Sequence, residues 1–235
     1  MNNIYSAYPD LASKTVQWLP MDTAELFEQN KKTKGELLDK LNWNENSFDY
    51  KFNSAGFRSD EFSNKPGIVF LGCSHTVGIG IPYETTAAYI VAKSLNLQCY
   101  NLGLGGGSNG SAFRFAYHWI EKLKPKLVIL LETHSERLEI FTNHGIWNSL
   151  LPKLCEPKYI GYFHTWAYNK PNVELDREKN LLAIEQICAK NNCKFILDSM
   201  TIPIAQNDLA RDLAHPGIKS NKHKAKEILE KIHGN

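Results

Sequence analysis

Residues 67–81 read Gly67-Ile-Val-Phe-Leu-Gly-Cys-Ser-His-Thr-Val-Gly-Ile-Gly-Ile81. Ile68, Val69, Phe70 and Leu71 form an unbroken apolar run of β-formers, the pattern of a strand covered on both faces in a parallel sheet. The run stops at Gly72, and Ser74 follows among small residues, with Gly78 and Gly80 just beyond. Open α/β sheets bind ligands at the carboxyl ends of such strands, so Ser74 stands at a place suited to chemistry. A helix starting there would turn free N–H groups toward negative charge developing beside the hydroxyl. The same segment also fits an ordinary strand–turn in which the serine merely caps, and the rest of the chain must separate the two.

Downstream the pattern alternates. Thr85 to Leu95 carries Ala88, Val91, Ala92 and Leu95 at helical spacing. Gln98 to Leu102 is a short strand ending in the glycine loop Gly103-Leu-Gly-Gly-Gly107-Ser108. Asn109 to Leu123 reads as a helix, Leu127 to Leu131 as a buried strand, Glu174 to Asn191 as a helix, Lys194 to Asp198 as a strand, and Lys222 to His233 as a last amphipathic helix. Strands separated by helices predict right-handed βαβ units and an α/β fold with a parallel sheet covered on both faces.

Residues 1–66 read as an N-terminal extension packed on an edge of the core formed by 67–235. Asp22 with Glu25 three residues on forms a candidate capping box, and Gly35 interrupts the helix it would open. Phe48, Tyr50 and Phe52 alternate with polar residues at the period of a half-buried strand. Between the third and fourth core strands, about residues 138–173 collect Phe141, Trp147, Tyr159, Tyr162, Phe163, Trp166 and Tyr168. Long aromatic loops of this kind either line a substrate or cover a satellite core.

The 235 residues suit one large domain, and 43% hydrophobic with 22% charged residues argue for a folded core. A net charge of +2 points to no nucleic-acid or polyanion partner. No apolar run reaches membrane-spanning length, and Met1 to Asp10 lacks the basic and apolar regions of a leader. The five cysteines are odd in number and scattered, with no Cys/His spacing of a zinc site. The expectation is a cytoplasmic, reducing location, with no metal and no cofactor.

Near the end stands Asp212-Leu-Ala-His215-Pro216-Gly217. An Asp three residues before a His can accept the Nδ1–H of that imidazole, leaving Nε2 to take a proton from a serine hydroxyl. Pro216 and Gly217 place the histidine at a turn after the last strand, on the rim that Ser74 occupies.

Taken together, Gly72-Cys-Ser74 after an apolar strand resembles the first block of the SGNH (GDSL-type) hydrolases. Asn101-Leu-Gly-Leu-Gly-Gly106 looks like their second block and Asp212-x-x-His215-Pro like their fifth, in order over residues 67–233. The resemblance implies a flavodoxin-like, three-layer α/β/α sandwich and a Ser–His–Asp triad acting on carboxylic esters, often acyl groups on carbohydrates or lipids. Carried over, Ser74 is the nucleophile, His215 the general base and Asp212 its orienting partner. The oxyanion falls to the backbone N–H groups of Ser74 and Gly106. The expected activity is a serine esterase removing an O-acyl group, acetyl for example, from a carbohydrate or small molecule. Acyl transfer on the same triad and a catalytically weak carbohydrate-binding module are the alternatives.

Two departures stand out. Cys73 replaces the aspartate usual before the nucleophile, which raises the alternative of a reactive thiol. Where the family has Gly-x-Asn-Asp, this chain has Glu132-Thr133-His134-Ser135-Glu136-Arg137, so the side-chain amide of the oxyanion hole is missing from its usual place. Asn109 could supply that amide or instead cap the following helix; Thr133 and His134 are donors in place. His75, His134, Trp147 and Trp166 are candidate substrate-binding residues. Arg58 and Arg137 either bind an anionic group or form surface ion pairs, and Lys219, Lys222, Lys224 and Lys226 read as a solvated helix face.

Overall fold

The computed structural model describes residues 4–45, 47–142, 145–148, 169–202 and 208–234, with backbone alone at 142 and 145–148. In chain order the elements are β1 (Thr15–Val16), α1 (Ala24–Lys40), β2 (Tyr50–Lys51), β3 (Gly67–Gly72), α2 (Ser74–Val77), α3 (Ala87–Ser94), β4 (Gln98–Gly103) and α4 (Asn109–Leu123). They continue with β5 (Leu127–Glu132), β6 (Glu139–Thr142), β7 (Gly145–Asn148), α5 (Lys170–Lys190), β8 (Lys194–Ser199) and α6 (Ile218–His233).

Four strands make one parallel sheet in the order β4-β3-β5-β8. This is the doubly wound order in which the chain reverses direction beside the first core strand, and the crevice at that reversal is where such sheets bind ligands. All six residues of β3 are buried, as its apolar run requires. Strand alternation sends Val69, Leu71, Tyr100, Leu102, Val128 and Leu130 to one face, against Ala112, Phe115, Ala116 and Ile120 of α4 and Ile184 and Cys188 of α5. Ile68, Phe70, Cys99, Ile129 and Ile196 face the other way, onto Ala88, Val91 and Ala92 of α3 and Ala225 and Ile228 of α6. Helices thus cover both faces in three layers.

Gly72 ends β3 with φ +153°, and a Cβ there would meet Thr76 Oγ1 at 2.2 Å and the Leu131 carbonyl at 2.9 Å. Only glycine lets the chain turn directly from the strand into α2, which puts Ser74 at the strand's carboxyl end.

Residues 4–66 differ from their local reading in four ways. The cap of α1 is Thr23, whose Oγ1 accepts from the Leu26 N–H at 3.2 Å; Asp22 is taken elsewhere, by Arg211. A strong long-range cation outcompetes a cap position that a one-residue shift can refill. The interruption in α1 falls at Lys34, one residue before Gly35. The Phe48–Phe52 segment pairs with β1 only at Tyr50 and Lys51, and Tyr50 and Phe52 are both buried, packed with Leu19, Val77 and Ile79. Arg58 is no surface residue: it is 2% exposed, and its guanidinium donates to the carbonyls of Val77 (3.2 Å), Gly78 (2.5 Å) and Ile81 (2.8 Å). Burial pulls its pKa down to about 10, and it still holds its proton at neutral pH.

Within the aromatic stretch, β6 and β7 form an antiparallel hairpin. Phe141 is exposed; the side chain of Trp147, and Tyr159, Tyr162, Phe163, Trp166 and Tyr168, lie outside the described residues. On α6 the solvated lysine face holds for Lys219, Lys222 and Lys226, whereas Lys224 is 4% exposed and sits 3.0 Å from Asp198 Oδ2. Among the described residues no helix is long and apolar enough to cross a membrane.

Candidate active site

Ser74 is the first residue of α2, with Cys73 as the N-cap. It is 9% exposed, and its Oγ and backbone N–H have no hydrogen-bond partner among the described residues. Cys73 points the opposite way. It is fully buried in the core beside α3, with Sγ 3.4 Å from Met200 Sδ, so the reactive-thiol alternative does not hold.

His215 arrives from the loop before α6. Its Nδ1–H donates to Asp212 Oδ2, because a carboxylate only accepts, and Nε2 is left with its lone pair. The second carboxylate oxygen, Oδ1, accepts the backbone N–H groups of Ala214 and His215, each at 3.0 Å. Leu213 at φ +54° and the Leu213 N–H donating to Ala210 O at 2.8 Å close the turn that makes this fit possible. The three-residue spacing therefore delivers the pairing within one turn.

The serine turn and the histidine loop meet through His75. Its ring stands edge-to-face against that of His215 with centroids 5.7 Å apart, placing the imidazole beside the residue that follows Ser74. His75 Nδ1–H donates to the Met200 carbonyl at 2.9 Å. Burial, foremost, pushes the His75 pKa below its ordinary value, and the neighbouring His215, Arg137 and His134 act in the same direction. A neutral His75 places no charge against a proton arriving on His215.

The glycine loop packs on the same turn. Leu104 N–H donates to Gly72 O at 3.1 Å, and Gly106 adopts φ +71° with no acceptor for its N–H among the described residues. Behind it, Gly105 N–H donates to Tyr8 Oη at 2.8 Å, and burial raises the Tyr8 pKa to about 12, keeping that phenol neutral.

Asn109 does not cap α4. Ser108 is the N-cap, in a reciprocal capping box with Ser111, so the asparagine amide is free for other use. Asn109 is 3% exposed, and its Oδ1 is buried with no partner among the described residues. At the end of β5, Thr133 Oγ1 accepts from Arg137 Nη1 at 2.9 Å, and the same nitrogen lies 3.5 Å from the Gly107 carbonyl. Arg137 thereby ties the altered third block to the glycine loop, and it pairs with no carboxylate of the described residues. His134 is exposed at the rim. Next to it a polar cleft of about 210 Å³ opens at the ends of β5 and β8, lined by Glu132, Thr133, His134, Ser199, Met200 and Thr201.

The structure sets His215 against His75, the residue after Ser74, and ties Arg137 to Thr133 and the glycine loop; among the described residues no hydrogen bond joins Ser74 Oγ to His215, and none joins Asn109 to either. Sequence reading missed Tyr8, Asp22 and Arg211 as supports of these loops. No local signal marks them, since each acts across about a hundred residues or more. Among the described residues no group of three or more His, Cys, Asp or Glu is placed to hold a metal.

No protein-family model matches the sequence, and no curated protein matches it. Among solved structures, the chain is similar to a carbohydrate esterase family 2 enzyme with a carbohydrate-binding domain from Corynascus thermopiles (Myceliophthora fergusii), at 12% identity and TM-score 0.39, over 72% of this chain and 66% of that one. It is similar to the psychrotrophic esterase EstA from Pseudoalteromonas sp., inhibited there by monoethylphosphonate, at 15% identity and TM-score 0.42, over 73% and 98%. A third is a protein assigned to the G-D-S-L lipolytic family from Desulfitobacterium hafniense, at 13% identity and TM-score 0.38, over 69% and 97%. At such identities and scores the likeness is one of outline only.

Proposed function

We propose that the protein is a serine esterase of the SGNH type, with Ser74 as nucleophile, His215 as general base and Asp212 as its orienting acid. What supports this reading is that the His215 ring, its Nδ1 committed to a buried carboxylate, stands against that of His75, the residue after Ser74, whose Oγ has no partner among the described residues.

Ser74 Oγ would attack the ester carbonyl while its proton passes to His215 Nε2. The resulting imidazolium lies against Asp212, 4% exposed, where low local dielectric strengthens the attraction. The oxyanion is met by the N–H groups of Ser74 and Gly106. Collapse of the tetrahedral species expels the alcohol, which takes the proton from His215, and leaves an acyl-serine. Water, deprotonated by the same imidazole, then releases the carboxylic acid and restores the hydroxyl. The polar cleft beside His134 suits a hydroxyl-rich leaving group, which favours an O-acyl carbohydrate as the substrate.

A fluorophosphonate probe tests the assignment. The folded protein is expected to take up one adduct, located on Ser74 by peptide mass, and His215→Ala is expected to abolish it. A folded wild-type protein that stays unlabelled would return the chain to a binding role.

Asn109 is the third oxyanion donor in this reading, replacing the amide absent after β5. Asn109→Ala is expected to lower kcat about 10²-fold with KM little changed, the usual cost of one such donor. Because Ser108 retains the cap, thermal unfolding should shift little.

A further inference from the structure

The residues that form the site come from 72–80, 103–109, 132–137 and 209–217, yet three of these four loops are held from outside the sheet domain by residues 4–66. Arg211, next to Asp212, is 2% exposed. Its Nε and Nη2 donate to both carboxylate oxygens of Asp22 at 2.7–3.2 Å, and Nη2 also donates to Gln17 O at 2.8 Å. The guanidinium carbon lies 4.1 Å from the ring centroids of both Trp18 and Phe48, so the group is clamped on its faces as well as its edge.

Asp22 itself accepts from Tyr50 Oη, which in turn accepts the Gly80 N–H at 2.7 Å, in the loop that follows the nucleophile. Arg211 N–H closes this circuit by donating to Gly80 O at 2.9 Å. Asn30 Nδ2 donates to the Asp212 carbonyl at 3.4 Å, and Trp43 Nε1 to that of Leu209 at 2.9 Å. Arg58 holds the carbonyls of 77, 78 and 81, and Tyr8 holds Gly105.

A buried ion pair is a poor source of net stability compared with apolar packing. What a bidentate, doubly stacked arginine does supply is a single orientation for the turn it sits in. We propose that residues 4–66 are a brace for the catalytic loops: Asp22, through Arg211, is the positioning residue for the Asp212–His215 turn, and Tyr8 for the oxyanion loop. This rests on reading Ser74, His215 and Asp212 as a triad.

The test separates grip from stability. In the full chain, Asp22→Asn removes the charge; the pair Asp22→Leu with Arg211→Met replaces the ion pair by apolar groups, which restores packing but not the fork. Both are expected to lower kcat, and the rate of fluorophosphonate labelling at Ser74, by roughly 10- to 100-fold at nearly unchanged KM, the penalty of small misplacement. The double variant is expected to do so while melting close to the wild type. Tyr8→Phe, which deletes the acceptor of the Gly105 N–H, is expected to slow labelling about tenfold. Amide exchange at Ala214 and His215 reads the order of the turn without any chemistry, and is expected to accelerate in both Asp22 variants. Wild-type kcat in a double variant of wild-type melting temperature would overturn the brace, as would unchanged amide exchange. An unlabelled wild type would instead show that the triad reading had failed, whatever the exchange rates.

Discussion

Ser74→Ala is expected to hydrolyse p-nitrophenyl acetate about 10⁶-fold more slowly than the wild type, the loss seen when a triad nucleophile is removed, or about 8 kcal/mol of transition-state stabilisation. The substitution is well suited to its purpose. Ser74 Oγ makes no hydrogen bond among the described residues, and the first turn of α2 is capped by the backbone geometry of Cys73 and Gly78, not by the serine. Alanine at the first helical position therefore costs the fold little, and near-identical thermal unfolding is expected beside the lost turnover. Unchanged turnover in folded protein would remove Ser74 from the chemistry. The experiment also bears on Cys73, the one other nucleophile of the turn: its burial against Met200 predicts that thiol reagents leave native activity intact.

Asp212→Asn is expected to lower kcat/KM about 10⁴-fold, or about 5.5 kcal/mol, through the wrong tautomer of His215. The geometry decides the direction. Oδ1 is committed to two backbone N–H groups, so the asparagine oxygen must stay there and its NH₂ must face His215 Nδ1. A donor facing Nδ1 moves the imidazole proton to Nε2, which can then no longer accept from Ser74. At 4% exposure no solvent reaches in to correct the mismatch. The backbone turn survives, so the loss should appear in kcat/KM and in the fluorophosphonate rate, with unfolding only modestly advanced. A variant of full activity would show that the Asp212–His215 contact is a loop clasp and not part of a proton relay.

Much of this was open to reading from local pattern. The apolar runs at 68–71 and 127–131 became buried neighbouring strands because covering a parallel strand on both faces leaves no polar positions to break the run. The helix over 109–123 fell on its observed limits because its apolar spacing and glycine-rich start are local signals. Asp212 and His215 met because three residues of a turn suffice to bring them together. Where two local readings competed, packing chose between them. Ser108, not Asn109, took the cap of α4, Thr23, not Asp22, that of α1, and Lys224 left the solvated face for Asp198.

By itself, then, the sequence determined the α/β alternation, the place of Ser74 at a strand end and the pairing within Asp212–His215, since each depends on contacts a few residues apart. Only the tertiary structure decided that Arg58 faces backbone carbonyls, that Tyr8 stands behind the glycine loop and that Asp22 reaches Arg211. Those partners lie about 20 to 190 residues apart, and a charge in a sequence carries no mark of which distant opposite charge will be buried with it.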